Sequence, residues 1–181
     1  MQGLANQTKS SSADDGTLLR RLSDNLSRWA FTDFEQAKFA LAELGRLLTP
    51  RSPFDVRLSY HRSAAFLENQ WYRYEQSLLH ARLAVSILES LADGWALAET
   101  WADIAATHLN QRDWTAAEDA IERAKRQLGE DAPPRLRAHV TCREGFFYLH
   151  LGNPRKALDC LMEAEKEFLE LEEKTATLKD W

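Results

Sequence analysis

The sequence predicts an all-α fold, a right-handed α-α superhelix or solenoid of about four helix-turn-helix repeats. Three observations carry this. Small residues recur 40 apart at Ala37, Ser77, Ala117 and Ala157, and Leu44, Ala84, Ala124 and Ala164 keep the same spacing, small in all but the first. Helix breakers keep the same beat, at Pro53, Asp93-Gly94 and Pro133-Pro134. Breakers are otherwise scarce: Gly 7 and Pro 5 in 181 residues, well under the roughly 12% of ordinary proteins. A repeat of this length is one supersecondary unit that buries its apolar face only by stacking on neighbours.

Each unit divides into two helices. The apolar periodicity predicts spans of 17–30, 32–48, 54–70, 73–91, 95–110, 114–128, 135–150 and 154–174; Ala117, Ile121, Ala124 and Leu128 show the helical spacing clearly. The turn before each second helix repeats as Asp33-Phe34, Arg73-Tyr74, Asp113-Trp114 and Asn153-Pro154. Asp33, Asp113 and Asn153 suit helix N-caps, with Pro154 at the first helical position. Thr32 with Glu35 has the spacing of a capping box, and Ser52 before Pro53-Phe54-Asp55 reads as another cap. Residues 1–14, rich in Ser, Asn and Asp, are expected to form an unstructured tail before a single repeat domain over 15–181.

Composition excludes several function classes. Lys plus Arg number 23 against 28 Asp plus Glu, a formal net charge of -5, which argues against a nucleic-acid binder working by bulk charge. No apolar run approaches the roughly 18 residues that cross a bilayer, so no membrane role is expected. The N-terminus lacks the apolar core of a secretory signal. Two cysteines, Cys142 and Cys160, are too few for a disulfide framework, and a reduced cytoplasmic setting is the default.

The residues Ala98–Gly129, AETWADIAATHLNQRDWTAAEDAIERAKRQLG, resemble a tetratricopeptide repeat. Trp101, Ile104, Ala105, Trp114, Ala117, Ile121 and Ala124 fall on that family's signature places, and His108 stands where Tyr is usual. Gly145, Tyr148, Gly152, Ala157, Leu161 and Ala164 continue it. The unit from Leu58 matches through Ala64, Ala65, Tyr74, Ser77 and Ala84, and the unit from Leu18 through Phe34 and Ala37. Repeats then fall at about 18–57, 58–97, 98–137 and 138–177. The spacing of 40 exceeds the family's usual 34; long repeats of this kind are familiar in bacterial regulators. Trp181 stands 80 beyond Trp101, at the signature place of a fifth unit beginning at 178–181, which makes a longer protein the expectation. The rival is a last helix running unbroken to the end as a coiled-coil-like connector.

Catalytic patterns are not apparent: there is no Gly-rich phosphate loop, GxSxG or HExxH. No cofactor, metal or catalytic residue is assigned. His139 and Cys142, three apart, lack a third ligand by spacing. Phe34, Tyr74, Trp101 and Trp114 are expected in the repeat core, whereas Phe66 and Phe146 occupy equivalent open places on first helices.

In the family that the chain resembles, first helices line a concave groove. The projected groove is Arg62, Ser63, Phe66, Asn69, Glu99, Asp103, Ala106, Asn110, His139, Arg143, Phe146 and His150. One branch of the family clamps a peptide C-terminal carboxylate with Lys, Asn and Arg. Here Asp103 would repel that carboxylate and Phe66 replaces an amide, so the clamp is not expected. Mixed charges, amides and rings suit an extended peptide or a partner helix. The resemblance thus implies a non-catalytic protein-binding module, the sensory or scaffold region of a larger bacterial signalling protein. The alternatives are a stand-alone chaperone or assembly adaptor, and a self-associating homodimer module.

Overall fold

The computed structural model describes the backbone of residues 3–179 and the side chains of residues 17–169. The tail expected over 1–14 and the fifth-unit start expected at 178–181 lie outside the residues whose side chains are described. Among the described residues eight helices follow in order: α1 Gly3–Thr32, α2 Phe34–Leu47, α3 Phe54–Gln70, α4 Tyr74–Leu91, α5 Gly94–Gln111, α6 Trp114–Gln127, α7 Pro134–His150 and α8 Pro154–Lys179. The fold is all-α and built of helix pairs, and from Phe34 to His150 the bounds lie within two residues of the sequence-based spans. Contacts divide the chain into two compact units, Met1–Ile87 and Leu88–Trp181, where one domain was expected. Each is described by itself.

In the first unit α1 pairs with α2, and α3 packs on both. The core joins Leu26, Ala37, Ala40, Leu44, Val56 and Leu67, with Trp29, Tyr60 and Phe66 packed partly buried against it. Leucines buried this fully contribute about 1.5–3 kcal/mol each through lost contact with water. The hairpin partner α4 begins at Tyr74, and its buried Ser77 hydroxyl donates to the Ala65 carbonyl on α3 at 2.8 Å. That bond satisfies a polar group at a place where the other repeats hold Ala.

In the second unit α5 pairs with α6, α7 packs on both, and α7 pairs with α8. Ala102, Ala124 and Val140 meet in a small core flanked by Trp101 and Leu128. All eight residues of the two 40-residue series are buried, with at most 3% of their surface exposed. Small side chains there permit close helix approach. Gly145 marks another: a Cβ at this place would come within 2.8 Å of Leu161 and 3.3 Å of Cys160.

The turns repeat as faithfully as the helices. Tyr72, Arg112 and Gly152, 40 apart, all take left-handed backbone with φ of 61°, 61° and 72°. Behind each, a wide bond closes the helix end: Arg73 N–H to the Glu68 carbonyl, Asp113 to His108, Asn153 to Tyr148, at 2.8, 3.0 and 2.9 Å. This is the Schellman pattern. Only the third turn uses Gly, the residue that suits this conformation best.

Two capping expectations are corrected. Thr32 is the last residue of α1 and not a cap; its hydroxyl donates to the Arg28 carbonyl at 3.0 Å. Asp33 takes the cap position in extended backbone and accepts from the Gln36 N–H. A carboxylate at that place also gains from the positive helix end. Ser52 does not cap α3: its hydroxyl accepts from the Thr49 N–H at 3.0 Å inside the α2–α3 turn, and Pro53 holds the cap position with no side-chain bond. Asp93, Asp113 and Asn153 do cap, accepting from Ala96, Ala116 and Lys156.

The aromatic expectation also changes. Trp101 flanks the core, but Phe34 is 47% exposed. Trp114 is half-buried, stacked on His150 at 5.3 Å between ring centroids. Tyr74 lies edge-on to Tyr72 at 6.3 Å. Being first residues of their helices, these rings sit beside turns at the ends of hairpins, where one side meets solvent.

Candidate functional site

First helices are neighbours within each unit: α1 beside α3, and α5 beside α7. This follows from stacking hairpins. It brings the projected groove residues of adjacent first helices together, as two separate sets.

In the second unit Glu99, Asp103, Ala106 and Asn110 lie at helical spacing on α5, and His139, Arg143, Phe146 and His150 on α7. Asp103 links the two helices. Its Oδ1 is 3.3 Å from His139 Nε2 and 3.9 Å from the Arg143 guanidinium. His139 Nε2 and Arg143 Nε are themselves buried without a well-aligned hydrogen bond, so Asp103 and Arg143 form a loose ion pair beside the His139 ring and not a bonded network. Phe146, one turn beyond, is 38% exposed. Asn110 is exposed and Glu99 half-buried. His150 is exposed on one side and covered by Trp114 on the other.

In the first unit the set is drier. Ser63 is buried, with its hydroxyl 3.5 Å from that of Ser27, which bonds Ser59 at 2.9 Å. Arg62 and Asn69 are half-buried. Phe66 is half-buried under Phe31, ring centroids 4.5 Å apart. Phe31 is itself 72% exposed. The sequence reading passed over Phe31, although it lies beside Trp29 and Thr32 at the end of α1, where a ring meets the next first helix.

A second cluster also went unnoticed. His61 on α3 and His80 on α4 lie Nδ1 to Nδ1 at 3.0 Å. The Tyr60 ring stands edge-on to both, at 5.2 and 5.6 Å. Burial, the His80 ring and Arg57 hold the His61 pKa down at about 4. Burial also lowers that of His80, against the pull of Glu68. Burial and Glu68 raise the Tyr60 phenol above its usual range. No spacing along either helix signals this pair, because it depends on how α3 and α4 are turned toward each other.

Outside these sets, Lys125 at the end of α6 donates to both carboxylate oxygens of Glu144 on α7, at 3.1 and 3.2 Å. Burial works to lower its pKa, but this bond and the nearby acidic charges win, and the pKa is raised. Burial likewise raises the Cys160 thiol, which suppresses the reactive thiolate. Among the described residues no three His, Cys, Asp or Glu side chains are grouped to hold a metal ion. No helix among them is long and apolar enough to cross a membrane.

No family model matches the chain. No curated protein matches it either. Among solved structures it is similar to the crystal structure of BtubC (BKLC) from P. vanneervenii, at 16% identity and a TM-score of 0.44, over 93% of this chain and 86% of that one.

Proposed function

We propose that the chain is a tetratricopeptide-type binding module that takes an extended peptide or partner helix along its first-helix faces. The observation that carries this reading is the α5–α7 seam. There Asp103, His139 and Arg143 set both signs of charge within 4 Å, and an exposed Phe146 lies one turn away. Charged groups that fix register beside a ring that supplies buried area suit peptide recognition. The Phe31–Phe66 pair gives the first unit a comparable apolar anchor. On this reading the module serves a larger bacterial regulatory protein in the cytoplasm, with no chemistry of its own.

The test is site-specific photo-crosslinking in living cells. A photoreactive residue at position 146 should give one discrete protein adduct, and the same group at exposed Glu118 on α6 should not give it. Arg62→Glu with Arg143→Glu should abolish the adduct while circular dichroism stays helical. Identical adducts from positions 146 and 118, or an adduct indifferent to the double variant, would remove the proposal.

A further inference from the structure

The two hairpins of the second unit are equivalent at 40-residue spacing, yet among the described residues only one has its outer seat filled. In the first hairpin Ala102, Ala124 and Leu128 receive Val140 of α7. At the rim Lys125 grips Glu144, four residues further along the same helix. Adding 40 gives the seat of the second hairpin: Cys142, Ala164 and Phe168, with Glu165 at the rim. These residues line an open trough of about 480 Å³ between α7 and α8.

Two differences distinguish the open seat from the filled one. The rim charge is reversed, Lys125 becoming Glu165. The outer face has also turned apolar. Glu118 and Glu122 on α6 correspond to Leu158 and Met162 on α8, which are 58% and 59% exposed. Contiguous exposed apolar surface of this kind marks an interaction site.

We infer that the α7–α8 trough is a docking seat for one amphipathic helix of a partner protein, a helix carrying an aliphatic residue and, four residues on, a Lys or Arg. The aliphatic residue takes the place that Val140 takes in the filled seat. The cation takes the place of Glu144 and pairs with Glu165. A second copy of this chain fits poorly, because its α7 would bring Glu144 against Glu165 and like charges oppose docking. The seat is separate from the α5–α7 seam, so this inference stands or falls independently of the peptide groove.

The test uses two lactam-stapled, fluorescent peptides of the α7 sequence, residues 134–150, one unchanged and one with Glu144→Lys. Anisotropy with the full chain should show the Lys peptide binding at least about tenfold tighter. Glu165→Lys in the protein should reverse that preference. Phe168→Glu, a change at a 40% exposed ring, should abolish binding of both while the thermal midpoint is kept. Equal affinities, or no binding of the Lys peptide at about 1 mM, would overturn the inference. So would a preference that Glu165→Lys leaves unmoved, because the peptides would then be exchanging with α7 in its own seat. A dimer in sedimentation that Phe168→Glu dissolves would assign the seat to a second copy instead.

Discussion

His61 and His80 meet Nδ1 to Nδ1 at 3.0 Å, so one ring must donate and the other accept. A proton on the accepting nitrogen makes that ring a cation and breaks the bond, and a second proton on the other ring would set two cations side by side. Tyr60 closes one side of the pair, Arg57 adds positive charge, and Glu68 alone favours protonation. The folded-state pKa of His61, about 4, lies below the ordinary 6.5. Between those values the unfolded chain binds the proton and the folded one does not, so stability rises with pH. The stabilisation is complete above about pH 6.5 and is lost as pH falls through about 4. Thermal melts from pH 7.5 to 4 should show this decline, and His61→Gln should make it shallower. An unchanged slope in His61→Gln would assign the decline to other groups.

Gly145 lets α7 and α8 touch, and its replacement separates them. Gly145→Val should destabilise by about 2 kcal/mol, the usual cost of overpacking, because Leu161 already stands 2.8 Å from the first added carbon. Gly129→Ala, with nothing within 4 Å of its Cβ, should be neutral or stabilise by about 0.5 kcal/mol. Denaturant midpoints of the two variants should therefore move apart.

Gly152 sits at φ 72° in the α7–α8 turn. Gly152→Ala places a Cβ in left-handed backbone and should cost about 1 kcal/mol, although no neighbour lies within 4 Å. A melt indistinguishable from that of the parent would show that the turn relaxes to another conformation.

Asp113 and Thr32 test the caps. Asp113→Ala removes the acceptor for the Ala116 N–H and should cost about 1 kcal/mol. Thr32→Ala should change stability by less than about 0.5 kcal/mol, since its hydroxyl only donates to a carbonyl one turn back. Equal losses in urea titrations would restore Thr32 to a capping role.

Leu44 and Leu67 are fully buried in the first unit. Leu44→Ala should lose about 3 kcal/mol, transfer and cavity together. A loss under about 1 kcal/mol would mean that the α1–α3 core collapses around the gap.

The sequence by itself determined the helices and their periodicity. The reason is local: small buried residues such as Ala117 and Ala157 recur with the repeat, and capping side chains such as Asp33, Asp113 and Asn153 act within three residues of their own position. Only the tertiary structure decided which side chains meet across helices. Asp103 met His139 because α5 lies beside α7. The His61–His80 pair and the stacking of His150 on Trp114 depend on how two helices are rotated about their axes. One residue of rotation is about 100°, so spacing along one helix cannot fix a partner on another. The left-handed turns at Tyr72 and Arg112 were equally hidden, because neither residue type favours that backbone and only hairpin closure enforces it. The difference between the filled seat at Lys125 and the open one at Glu165 is a fact of packing, written in the sequence only as a change of sign.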